Sequence, residues 1–196
     1  MATPPDFSVG QVLTSAQMNA VGLWKMTPTS ATNGTIQANG DVSFSAVSSV
    51  NVNGCFTDDF NNYRIMFTDM RIITSNQDLL FRLRVSGSDA TGANYSWGQI
   101  NYDVVTTGFS QSGGNAVTSA TVSRLGAGNF TVVALDIFQP KVATQTGANW
   151  HSAFSNGYFI WRNGGFIHTL NSAYDGFTFY TAANTFSGSV SIYGYN

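Results

Sequence analysis

The sequence predicts an all-β protein: an antiparallel β-sandwich, jelly-roll-like, preceded by an extended arm and one short N-terminal helix. Charged residues make up 9% of the 196 residues, well below the roughly 25% of a typical soluble domain. Every acidic residue is aspartate and lysine occurs twice, so the residues that best populate exposed helix faces are nearly absent. Apolar residues instead alternate with polar ones in short runs separated by glycine, asparagine and serine, as in sandwiches and barrels.

Residues 1–30 are predicted to form an anchoring arm and a short helix. After a proline pair, Thr14 and Gln17 have the spacing of a capping box, and Leu13 and Met18 that of a hydrophobic staple. A helix of two or three turns is marginal in water, so its apolar stripe needs a cover: the body of the same chain, a symmetry mate or a host structure. The predicted anchor residues are Phe7, Leu13, Thr14, Gln17, Met18, Val21 and Trp24.

Residues 31–41 are small and polar and contain two Asn-Gly turn signals, which is typical of a linker. Residues 42–196 are predicted to be the β-sandwich domain, with eight to ten short strands. A jelly roll suits this length better than an immunoglobulin sandwich, which is nearer ~100 residues and carries a cysteine pair in its true form. The alternating runs are 42–52 with a bulge, 63–67, 79–85, 97–105, 116–122, 130–138, 158–162, 166–170, 177–181 and 190–195.

Several short motifs resemble structural proteins of tailed bacteriophages. The run Phe7-Ser-Val-Gly-Gln-Val-Leu-Thr-Ser-Ala-Gln-Met-Asn19 is similar to the segment that precedes an appendage domain in those proteins, and the body resembles their β-sandwich at Tyr63-Arg64-Ile65, 91–96 and 189–194. The resemblance implies a virion protein made in the host cytoplasm, a homo-oligomer with a trimer favoured, that attaches to other virion proteins through residues 1–30. It implies no catalytic residues.

The composition also bears on partners. Eight scattered cations and a net charge of −2 do not form the basic face that nucleic-acid binding needs. No basic amphipathic helix or long apolar stretch indicates a membrane. Because lysine and glutamate normally guard strand edges, edges of this composition are expected to be covered by copies of the chain or by a larger assembly.

The candidate receptor site is the segment 144–157, predicted to be a long loop at one end of the sandwich. Loops on a rigid scaffold commonly carry binding sites, and Asn149, Trp150, His151 and Asn156 could stack on and hydrogen-bond a host-surface sugar. The alternative is that Trp150 fills one end of the core, because large aromatic side chains dominate core burial.

Catalytic and metal chemistry have little support in the sequence. Asp58 and Asp59 are the only adjacent carboxylates, and with asparagines following they are typical of a turn. His168 lies in an alternating run and is predicted to be a strand residue, and the single cysteine provides neither a disulfide nor a metal site. Arg82 and Arg84 share one strand face and are expected either to pair with Asp69 or Asp103 or to be solvated.

The sequence therefore predicts a noncatalytic virion protein with no cofactor and no metal. The leading function is a tail fibre or knob whose sandwich loops touch the host surface. The alternative is a capsid or tail decoration protein that mainly binds other virion subunits. A polysaccharide hydrolase is a third reading, weakened by the absence of glutamate and of paired acids.

Overall fold

A computed structural model describes residues 22–155 and 157–196. These residues form sixteen strands in two antiparallel sheets that pack face to face, which confirms the predicted all-β, jelly-roll-like sandwich. The strands are β1 (Trp24–Met26), β2 (Ser30–Thr32), β3 (Thr35–Ile36), β4 (Val42–Val47), β5 (Ser49–Asn53), β6 (Asn62–Ile72), β7 (Gln77–Val85), β8 (Ser88–Asp89), β9 (Tyr95–Asp103), β10 (Gly108–Val117), β11 (Ala120–Leu125), β12 (Phe130–Phe138), β13 (Thr146–Ser155), β14 (Phe159–His168), β15 (Gly176–Tyr180) and β16 (Phe186–Tyr195).

The two sheets differ in width. The large sheet has ten strands in the order β10-β9-β14-β13-β12-β6-β16-β4-β3, with β1 also paired to β16. The small sheet has six strands in the order β11-β7-β15-β5-β2, with β8 also paired to β7. Because the large sheet is wider, the small sheet leaves the edge strand β10 mostly exposed.

The core lies between the inner faces of the two sheets. Alternate residues of each long strand point inward, as the period of two requires, and the centre is an aromatic cluster. Phe67 meets Phe179 edge-on at a centroid distance of 5.0 Å, and Phe81 stacks on Phe177 at 5.4 Å. All four rings are fully buried, and such pairs contribute beyond the area that they bury.

The N-terminal strands correct two predictions. Trp24 was predicted to belong to a helical stripe, but it lies in β1, pairs with Gly194 and stacks on Phe60 at 6.4 Å. The helical prediction is wrong for Trp24 because residues 24–26 pair with residues 192–194 of β16, which gives their backbone hydrogen-bond partners on one side. The other predicted anchor residues lie outside the described residues: Phe7, Leu13, Thr14, Gln17, Met18 and Val21.

The predicted linker 31–41 is also part of the sandwich. It contributes to β2, which pairs with β5, and contains β3, which pairs with β4. The two Asn-Gly signals do lie in the connections, where Asn33 has φ 61° and Gly40 has φ 82°. The domain therefore begins before residue 42, because these short strands complete sheet edges that would otherwise be open.

Three segments predicted to be loops or turns are strand interiors. The segment 144–157 contains β13, the cluster 112–115 lies in β10, and the cluster 163–165 lies in the middle of β14. Their small polar residues have weak strand propensity. Pairing overrides it, because β13 and β14 are hydrogen-bonded to neighbours on both sides and β10 to one.

A buried arginine ties together several strands of the small sheet. Arg84 is 6% exposed; it forms an ion pair with Asp89 and donates to Thr178 Oγ1 at 2.8 Å and Asn53 Oδ1 at 2.9 Å. The predicted partners are therefore wrong: the aspartate comes from the neighbouring β8, and Asp69 instead pairs with Arg71. Arg82 lies 4.0 Å from Asp89 and stands over the Tyr180 ring. Asp103 accepts a hydrogen bond from the backbone N–H of Val105 in the turn that follows it.

Truncation of the central aromatic cluster tests this account of the core. Phe177→Ala removes a fully buried ring that touches Phe56, Phe67, Phe81 and Phe179. The free energy of unfolding should fall by about 3–5 kcal/mol, from lost burial and the cavity left behind. Urea denaturation measures it. Ile73→Ala, at a side chain that is 85% exposed, should change the value by less than about 0.5 kcal/mol; equal effects would contradict the packing.

Candidate functional site

Three glycines form a trench across the outer face of the large sheet, the face turned away from the small sheet. Gly113 of β10 is paired with Gly98 of β9, and Gly98 is paired with Gly165 of β14. Directly paired residues of antiparallel strands lie on the same face, so three neighbouring strands lack a side chain at one level. The next residue in this row is Asn149 of β13. The row is therefore a shallow channel perpendicular to the strands.

The row beside the trench supplies its wall. Gln111, Ile100 and Asn163 are paired in sequence across the same three strands, and His151 of β13 continues the row. Gln111, Ile100 and Asn163, together with the half-buried ring of Trp161, line a depression of about 730 Å³ over Gly98 and Gly113. This volume falls within the ~300–1,000 Å³ of typical small-molecule sites.

A second depression adjoins the first along the strands, on the side of Phe109. It has a volume of about 530 Å³ and shares Ile100, Gln111 and Trp161 with the first. Its additional wall is Phe109, a ring that is 73% exposed and lies 5.0 Å from the Tyr102 ring. Exposed aromatic rings gathered in one row are unusual on a protein surface and typically mark interaction sites.

The trench ends at β13, where the structure places half of the predicted receptor site. Asn149 lines a third depression of about 290 Å³, and His151 is exposed on the same outer face. Trp150 is fully buried and points inward, because consecutive strand residues face opposite sides. The predicted grouping of Trp150 with its two neighbours is therefore wrong. The fourth predicted residue, Asn156, lies outside the described residues.

Among the described residues, the linings of the three depressions contain no ionisable side chain. Their polar groups are amides and hydroxyls: Gln111, Asn163 and Asn149, with Ser96 at one end. An amide group has both donors and an acceptor, whereas a carboxylate or guanidinium has only one kind. The surface therefore suits a ligand rich in hydroxyl groups better than a strongly charged one.

A buried arginine with incomplete hydrogen bonding, Arg162, lies beneath this surface on the inner face of the same sheet. Arg162 is 7% exposed, and its Nε and Nη1 lack hydrogen-bond partners. Its guanidinium stands 5.0 Å from the Phe154 ring, and the nearest carboxylate, Asp78, is 3.9 Å away. Burial, together with a smaller contribution from the nearby charge of Arg124, lowers the pKa of Arg162 to about 10 against the opposing attraction of Asp78.

Other candidate residues have ordinary structural roles. Asp58 and Asp59 lie in a turn, as predicted, and Thr57 Oγ1 donates to Asp59 Oδ2 at 3.1 Å. His168 is a buried strand residue, also as predicted; its Nδ1 is 2.9 Å from the Tyr174 hydroxyl, and burial lowers its pKa. Within 22–155 and 157–196, no cluster of three His, Cys, Asp or Glu could hold a metal ion.

Within the same described part of the chain, no helix is long and apolar enough to cross a membrane.

Comparisons with known proteins return no family and only distant structural similarities. No protein-family model matches the sequence, and no curated protein matches it. Among solved structures, the SPRY domain of human HERC1 has a TM-score of 0.29 at 8% identity, over 86% of this chain and 97% of that chain. The carbohydrate recognition domain of Emp47p has a TM-score of 0.31 at 8% identity, over 87% of this chain and 95% of that chain.

Sequence reasoning missed the glycine trench because its residues come from three distant segments. Gly113 and Gly165 belong to clusters that are typical of turns, and Gly98 interrupts an alternating run. A signal did exist, because glycine inside a strand pattern marks a bulge or a close approach of another molecule. What could not be read from the sequence is the register that aligns the three.

The incomplete hydrogen bonding of Arg162 predicts that this residue lowers the stability of the protein. Arg162→Met keeps the volume and removes a buried charge without hydrogen-bond partners, so the free energy of unfolding should rise by about 1–4 kcal/mol. Chemical denaturation measures the change. Arg71→Met is the control, because its guanidinium is 59% exposed and a surface pair contributes less than about 1 kcal/mol. If Arg162→Met instead destabilises the protein, the guanidinium has a partner that this account lacks.

Proposed function

We propose that this chain is a noncatalytic appendage protein of a tailed-phage virion, a tail fibre or knob, that binds uncharged glycans of the host surface in the glycine trench. The observation that carries the proposal is the trench itself: a side-chain-free channel walled by Trp161 and amides, without an ionisable group in its lining. The proposed receptor site therefore lies on the outer face of the large sheet and not in the predicted loop.

The chemistry of the trench matches that of a sugar chain. The face of a sugar ring is apolar and packs on an aromatic ring such as Trp161, while its hydroxyl groups exchange hydrogen bonds with amides such as Gln111 and Asn163. The four strands from β10 to β13 are about 4.8 Å apart, so the trench is about 14 Å long. A short oligosaccharide would lie along it.

The virion setting rests on the sequence motifs and on the physical character of the surface. The segment from Phe7 to Asn19 resembles the opening of phage appendage proteins. The low charge of the chain leaves the long edge strand β10 without a charged residue, and a fixed assembly tolerates such an edge. Attachment to other virion proteins through residues 1–30 and homo-oligomeric assembly are part of the same proposal.

A second candidate function, decoration of the capsid or tail, is favoured by a different surface. Met66, Val132 and Ala134 form an apolar depression of about 290 Å³ on the outer face at the centre of the large sheet, beside His151. Such a patch suits burial against another virion subunit. The position of the protein in images of the intact particle separates the two functions: a place on the shell favours decoration, and a place at the tail tip favours the fibre.

Removing the aromatic wall tests the fibre proposal directly. Trp161→Ala should lower binding to an array of bacterial O-antigen and capsular polysaccharides at least about tenfold, since a stacked ring contributes more than ~1.4 kcal/mol when its site is desolvated. The same variant should lose the ability of the purified protein to block phage adsorption.

Phe159→Ala is the matched control. Phe159 lies on the same strand and is 49% exposed, but it lines none of the three depressions. Its removal should leave glycan binding intact. If the wild-type protein binds none of the polysaccharides, or if both variants bind equally well, the trench is not the receptor site.

Filling the trench is a complementary test, because it adds atoms instead of removing a contact. A Cβ on Gly98 would meet nothing within 4 Å, so Gly98→Val should fold normally and improve strand propensity. The new side chain would occupy the floor and should abolish glycan binding, as measured by calorimetry with the best polysaccharide of the array. Gly147→Val, also in open space on a strand but outside the depressions, should bind like wild type. Undiminished binding by the Gly98 variant would contradict the proposal.

A further inference from the structure

The edge strand β10 has the features of an unguarded pairing surface. It is ten residues long and contains no charged residue and no proline, and among residues 22–155 and 157–196 it pairs only with β9. Its register with β9 is regular from Gly108 to Gly114, with an irregularity only after that. A long, flat, uncharged edge presents a row of unpaired backbone groups, which is a template for another strand.

The other edges of the described sheets are guarded, which makes β10 distinctive. The strands β1, β2, β3 and β8 have two or three residues each. The remaining edge strand, β11, is almost wholly buried, carries Arg124 and has a register shift against β7. Short strands, charges and bulges are the usual protections of sheet edges; within the described residues, only β10 lacks them over seven consecutive residues.

We infer that β10 pairs antiparallel with β10 of a second copy of this chain, about a two-fold axis at Gln111. Such an interface is isologous, so the same strand serves both subunits and no other surface is needed. The two large sheets would become one continuous sheet. Seven residues from each subunit, Gly108 to Gly114, would be paired.

The side chains fit this register. Pairing about Gln111 places Phe109 opposite Gly113 of the partner subunit, Ser110 opposite Ser112 of the partner subunit and Gln111 opposite the partner's Gln111. A phenylalanine across from a strand glycine is a favourable combination, because the ring covers backbone that glycine leaves bare. Phe109 is 73% exposed in the single chain, and this contact would give its ring a partner. No charge on either strand opposes the approach.

Pairing would also complete the trench, a consequence that rests on the proposed function. The glycine row from Gly165 through Gly98 to Gly113 would end at the partner's Phe109, which adds a second aromatic wall. The two trenches would lie side by side on one surface. Two linked sites bind a repeating polymer more tightly than one, because the second contact is intramolecular.

The first test is the mass of the full-length chain in solution, measured by analytical ultracentrifugation. An even-numbered assembly of the 21.0 kDa chain is expected, and Gln111→Lys should halve its mass, because the two new charges face each other at the axis. Ile167→Lys is the matched control: it adds the same charge to the same outer face, but β14 is paired on both sides within the chain, so the mass should not change. A monomeric wild type, or a trimer as the sequence resemblance implies, would overturn the inference.

The second test fixes the register by disulfide cross-linking. The native cysteine, Cys55, is fully buried and burial raises its pKa, so it gives no background under mild oxidation. Gln111→Cys should yield a covalent dimer on a non-reducing gel, and so should Ser110→Cys combined with Ser112→Cys. Ser110→Cys alone should not, and neither should the exposed control Phe159→Cys. Cross-linking of the two single control variants, or of none, would overturn the register. Neither test uses glycan binding, so failure of the proposed function would leave this inference standing.

Discussion

The register between β13 and β14 is the constraint on which the outer surface depends. Ten consecutive pairs join these strands without an irregularity, from Thr146 with His168 to Ser155 with Phe159. Because side chains alternate between the two faces, a slip of one residue would turn Gly165 inward and the bulky Phe166 outward. The buried positions of Trp150 and Phe166, whose rings lie 6.4 Å apart, fix which of the two faces each residue takes.

The adjacent glycines of β14 serve both faces of the sheet. A Cβ on Gly164 would come within 2.4 Å of the Trp150 ring, so glycine there gives the indole its place in the core. Gly165, one residue further, faces outward, and a Cβ there would come within 2.9 Å of Asn149 Oδ1, so glycine makes room for the Asn149 side chain at the end of the trench. Core packing and the surface channel therefore come from the same dipeptide. Two adjacent glycines, although typical of a turn, here remove one side chain from each face of a strand.

The low charge of the chain has two physical consequences that work together. It leaves the described residues that line the trench without ionisable groups, so that the proposed glycan would be bound through shape, stacking and hydrogen bonding. It also leaves β10 without the charges that prevent edge pairing. The few ion pairs are instead used within the sandwich, where Arg64 makes two bonds of 2.8 Å to Asp136 and Lys25 pairs with Asp41 between strands. Charged side chains thus hold strands together, while the trench and the edge strand β10 carry no charge.

The sequence by itself determined the fold class, because alternation with a period of two, the scarcity of helix-forming charged residues and the glycine-rich connections all act locally. It also placed strands at 63–67, 79–85 and 130–138, which lie in β6, β7 and β12. Only the tertiary structure decided that Thr146–Ser155 is a strand, that Trp150 is core and Trp161 is surface, and that three distant glycines are aligned. The reason is that register depends on backbone pairing between segments far apart in the chain, and pairing on both sides of a strand outweighs the weak local preferences of glycine, serine and asparagine.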